Sequence, residues 1–153
     1  MISLIVKGLY YNNTQNESIE NVWLIKKFAK QIVDQYKDVE REDWKWFQRN
    51  VSLQSSIISE ALICAWKATG EPQYYQIAKT SFDFLLSKVF KNKEEYSSFI
   101  VEEKMFSGKK STEINTIIFG LNSFYKVFKE EKYLNLIQRS TEWLEINKSE
   151  IYK

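Results

Sequence analysis

The stretch that decides the fold runs from Asp43 to Phe90 and reads DWKWFQRNVSLQSSIISEALICAWKATGEPQYYQIAKTSFDFLLSKVF. It opens on three aromatic residues (Trp44, Trp46, Phe47), crosses a polar segment, and continues as two helical runs joined by Gly70-Glu71-Pro72. Ile58, Leu62, Ala65 and Trp66 recur at the spacing of one helical face, as do Tyr74, Ile77, Ala78, Ser81, Phe82, Leu85 and Val89. Gly70 stands where a left-handed residue ends a helix, and Pro72 stands where a missing N–H is tolerated at the start of the next. The spacing predicts a helical hairpin with an aromatic entrance.

Downstream the hairpin is repeated. Residues 61–85 align without a gap on residues 120–144, placing Leu62 on Leu121, Trp66 on Tyr125, Tyr74 on Tyr133, Ile77 on Leu136, Ser81 on Ser140, Phe84 on Trp143 and Leu85 on Leu144. The offset is constant (121 − 62 = 59). Upstream, Ile2 to Tyr11 and a run from Ser18 to Lys37 form a looser copy. In it Ser18 is the expected N-cap, Asn12 to Glu17 a polar connector, and Val22, Ile25, Ala29, Ile32 and Tyr36 the inner face. The expectation is an all-α single domain, residues 1–153, built from three antiparallel hairpins at about 2–37, 54–90 and 111–148. Ser111 or Thr112 is the expected cap of the fifth helix, and Tyr96 to Met105 a candidate short strand or hairpin. Long connections at 37–53 and 91–110 would then share one end. A 59-residue period exceeds that of tetratricopeptide or ankyrin arrays and suits hairpins set around an axis, as a partial (α/α) toroid.

Composition narrows the chemistry. The chain has 153 residues, 44% hydrophobic and 16% aromatic, enough for a packed core, and only four Gly and one Pro interrupt its helical runs. A net charge of +2, from 22 basic and 20 acidic residues, offers no broad field for nucleic acid. No histidine is present, which removes Ser-His and Cys-His nucleophile chemistry and imidazole metal ligands. No metal and no cofactor are expected. The single Cys64 lies in an apolar helical run and reads as a buried structural thiol. The opening MISLIVKGLYY lacks a signal-peptide pattern and no run reaches the length of a membrane span, so a cytoplasmic protein is expected.

The aromatic entrance carries a resemblance. Trp44, Trp46, Phe47, Gln48, Val51, Ser52, Leu53 and Ser55, followed by Ser59-Glu60-Ala61-Leu62 and Thr69-Gly70, resemble a signature of the (α/α) toroid domains of bacterial and archaeal glycan metabolism. The most similar of these domains are appended to glycosyltransferases; epimerase and unsaturated-glucuronyl hydrolase toroids are more distant. That signature runs Trp-x-Trp-Phe-Glu-x-x-Leu-Thr-Tyr-x-Asn. Here the polar positions differ: Gln48 stands for Glu, Leu53 for Tyr and Ser55 for Asn. The resemblance implies a sugar-handling fold, while an amide at Gln48 cannot move a proton as a carboxylate can.

Two function classes follow. In the first, the chain is a non-catalytic module that binds a glycan or a protein partner. Trp44 and Trp46 would offer flat faces to a sugar, and Asp43 and Gln48 would hydrogen-bond its hydroxyls. The competing account of Trp44, Trp46 and Phe47 is a plug between hairpins, and one Trp buried with the other exposed would combine the two. In the second class the chain is an epimerase or glycoside hydrolase using Glu60 and Glu113, although the helix dipole alone favours carboxylates near helix starts. A generic helical scaffold is the third option. Because three hairpins are half of a closed toroid, apolar flanks on helix two (Trp23, Ile25, Phe28, Ile32, Val33) and helix five (Ile117, Ile118, Phe119, Phe124, Phe128) predict a homodimer or a partner chain completing the ring.

Overall fold

The computed structural model describes residues 1–90 and 109–147. Six α-helices and no strand occur among them: α1 (Ile2–Gln15), α2 (Ile19–Val39), α3 (Ser56–Thr69), α4 (Pro72–Val89), α5 (Lys110–Phe128) and α6 (Glu131–Ile146). A 3-10 turn, Leu53–Ser55, precedes α3. The candidate strand at 96–105 lies outside the described residues, as does most of the connection at 91–110.

The chain gathers into two compact units. The first comprises Met1–Val51 and Ile57–Phe84. Within it α1 packs on α2, and Ser18 caps α2 as the sequence predicts, its Oγ accepting from the Asn21 N–H at 3.3 Å. Ile25, Ala29, Ile32, Val33 and Tyr36 form the buried face of α2. The polar connector is shorter than expected, because α1 continues through Asn12 to Gln15. There the Thr14 hydroxyl turns back onto the Tyr11 carbonyl at 2.6 Å, a bond compatible with helix. Between α3 and α4 the buried hydroxyls of Ser59 and Ser81 meet at 2.7 Å, and the Trp66 and Tyr75 rings lie 4.9 Å apart. Small side chains let the two helices approach there; aromatics fill the gap nearer the turn.

The second unit comprises Ser52–Ser56 and Leu85–Lys153. Here α5 packs on α6 and on the 3-10 turn. Ile114, Ile117, Leu121, Phe124 and Tyr133 are fully buried, with Phe124 and Tyr133 edge to face at 6.1 Å. Neither Ser111 nor Thr112 caps α5. The helix begins at Lys110 with Lys109 as its N-cap, because the Thr112 and Glu113 N–H groups already close onto the Lys109 carbonyl at 3.0 and 3.1 Å. Ser111 sits buried inside the first turn instead.

All seven residues predicted for the inner stripe of α4 are buried. Of the flanks expected to be apolar surface, Ile25, Ile32 and Val33 on α2 and Ile117 and Phe124 on α5 are buried, while Trp23 and Phe119 are 59% and 69% exposed. Among the described residues no helix is long and apolar enough to cross a membrane.

Candidate functional site

The connection from α2 to the 3-10 turn carries the aromatic motif. It begins as a tight reversal in which Arg41 N–H donates to the Trp44 carbonyl at 2.8 Å and Trp44 N–H to the Arg41 carbonyl at 3.2 Å. Arg41 also closes the end of α2, its Nη1 donating to the Glu40 and Asp38 carbonyls at 2.6 and 3.4 Å. A cation there complements the negative end of the helix dipole. The indole N–H of Trp44 donates to the Gln48 carbonyl at 2.8 Å, which closes the rest of the loop.

The aromatic residues divide their work. Trp46 and Phe47 are fully buried, their rings 5.2 Å apart, and Phe47 meets Tyr36 of α2 edge to face at 5.3 Å. These two anchor the loop through the area they bury. Trp44 is half-buried, held by an edge contact to Phe84 at 5.1 Å. With Asp38, Val39, Arg41 and Arg49 it lines an open cavity of about 260 Å3. Asp43 and Gln48 are exposed; Gln48 serves the loop through its backbone carbonyl. The Ser55 hydroxyl donates to the Ser52 carbonyl at 2.6 Å and accepts from the Ser52 N–H, so it closes the 3-10 turn.

The two acids fall in different units. Glu60, 4% exposed on α3, has its carboxylate 2.8 Å from the Lys7 ammonium of α1. Glu113 is completely buried in the first turn of α5, where the helix dipole favours a carboxylate. Asp83 pairs with Lys79 one turn away. Burial pushes the Cys64 thiol up to about 11, with Lys7 opposing, Glu60 adding and Lys67 opposing. Burial likewise pushes the Tyr36 phenol up to about 12, helped by the charge and hydrogen bond of Glu40. Neither group is set up as a nucleophile or base near neutrality. Among the described residues no group of three or more His, Cys, Asp or Glu side chains could hold a metal ion.

The chain matches no protein-family model, no curated protein and no solved structure. Its reading therefore rests on its own residues. Sequence reasoning missed Arg41 and Arg49, which line the cavity together with Trp44. The signal was present: only three arginines occur in the chain, and two of them bracket the Trp-x-Trp motif.

Proposed function

We propose that the chain is a non-catalytic helical module, related to the toroid domains its motif resembles, that binds a glycan in the cavity beside Trp44. The supporting observation is the division between the tryptophans. Trp46 and Phe47 are spent entirely on anchoring the loop, whereas Trp44 is fixed by its N–H and its Phe84 contact yet keeps part of the indole at a cavity wall. A rigid aromatic wall with a few convergent polar groups suits a sugar ring, which has apolar faces and a hydroxyl rim. Against catalysis stands the chemistry of the acids. Hydrolysis of a glycosidic bond ordinarily needs two carboxylates roughly 5 to 10 Å apart across one site. The motif position carries the amide of Gln48, and Glu60 is tied to Lys7.

The test is a panel of glycosides and oligosaccharides measured twice, for turnover and for binding. Binding without turnover, weakened at least about tenfold in Trp44→Ala with the melting temperature little changed, supports the reading. Turnover lost in Glu60→Gln or Glu113→Gln would replace it with the enzymatic one.

A further inference from the structure

The chain spends nineteen lysines and only three arginines, yet the cavity beside Trp44 is lined by two of the three. Four lysines of the first unit pair with carboxylates: Lys7 with Glu60, Lys26 with Glu71, Lys30 with Asp34 and Lys45 with Glu40. Neither Arg41 nor Arg49 forms an ion pair among the described residues. Both bonds of Arg41 use Nη1, which leaves the Nε and Nη2 edge of its guanidinium uncommitted among the described residues. Arg49 forms no ion pair or hydrogen bond among the described residues. With Asp38, the charged residues lining the cavity sum to +1 (two arginines less one aspartate). A planar guanidinium presents paired N–H donors that match an oxyanion, a fit that lysine lacks. Closing the end of α2 accounts for Arg41. It does not account for Arg49.

We infer that the ligand of this cavity is a sugar bearing an oxyanion: a carboxylate, sulfate or phosphate group. Arg49 and the free edge of Arg41 take the anion, the Trp44 indole takes the ring, and the Asp38 carboxylate accepts from a hydroxyl. The inference rests on the glycan-binding reading above and deepens it.

Calorimetric titration of the full chain at low ionic strength tests it. The probes are an oligogalacturonate, its fully methyl-esterified neutral form, a sulfated carrageenan oligosaccharide and mannose 6-phosphate. At least one anionic probe is expected to bind about tenfold more tightly than the neutral ester. That gap should close to within about twofold in Arg49→Gln and narrow in about 0.5 M salt. The anionic probe that binds identifies the source of the oxyanion. Trp44→Ala should weaken charged and neutral probes alike. If the neutral ester binds as tightly as every charged probe, the anion assignment is overturned and the glycan reading stands. An anionic preference unchanged in Arg49→Gln overturns the role of Arg49. Failure of all four probes to bind overturns both.

Discussion

Gly70 and Lys129 stand 59 residues apart, and each follows the last residue of a helix in the left-handed conformation, with φ of 72° and 56°. The sequence offset that aligns Leu62 with Leu121 therefore also aligns the ends of α3 and α5, and the starts of α4 at Pro72 and α6 at Glu131. What differs is the residue at the turn. A Cβ in the left-handed region costs about 1 kcal/mol or slightly more, and glycine escapes that cost. Lys129→Gly is expected to stabilise by up to about 1 kcal/mol and Gly70→Ala to destabilise by at least that much. Nothing lies within 4 Å of a Cβ added at Gly70, so the penalty there would come from the backbone alone. Urea unfolding with unchanged slopes checks both.

The Lys7–Glu60 pair predicts an asymmetric cycle. The Lys7 side chain is 21% exposed and the Glu60 side chain 5%, so lysine can turn to water if its partner is lost and glutamate cannot. Lys7→Met strands a buried carboxylate and should cost about 2 to 3 kcal/mol. Glu60→Gln should cost less. The double substitution to Met and Leu should recover most of the loss, with a coupling of at least about 1 kcal/mol between the sites. Equal losses in the two single variants, or additivity in the double, would show that Glu60 has a second partner of comparable weight.

Alkaline pH should loosen the first unit. Folding raises the Cys64 pKa from 9.0 to about 11 and the Tyr36 pKa from 10.0 to about 12, so the native state holds these protons more tightly than the unfolded chain does. The stability this supplies is whole below about pH 9. It declines as the unfolded groups ionise and is gone once the pH passes the folded values. Melting temperature should fall across that range, with Cys64→Ala flattening the earlier part and Tyr36→Phe the later. Thiol-labelling reagents should leave native Cys64 nearly untouched at pH 8 and modify it on unfolding.

Much of the fold was legible because apolar spacing reports which face is buried. The α4 stripe, the Ser18 cap, Gly70 and Pro72 all follow from rules that act within a few residues. The start of α5 did not, since Ser111 has the chemistry of a cap but lies buried within the first turn of the helix. The site was half legible. Spacing cannot say which of two tryptophans faces the core: Trp44 and Trp46 are two residues apart in an irregular loop, where no periodicity assigns sides. Trp46 is fully buried and Trp44 only half-buried, a difference set by the tertiary packing of the loop. Arg41 and Arg49 escaped notice because net charge hides the choice of arginine over lysine.

The most direct measurement is the response of the indole N–H resonances to an added oligosaccharide that binds. The account predicts that the Trp44 signal, whose N–H donates to the Gln48 carbonyl, shifts in proportion to saturation. The Trp46 signal, from a fully buried ring, should hold its position. A Trp46 shift with Trp44 unmoved, or binding that survives Trp44→Ala unchanged, would contradict the account.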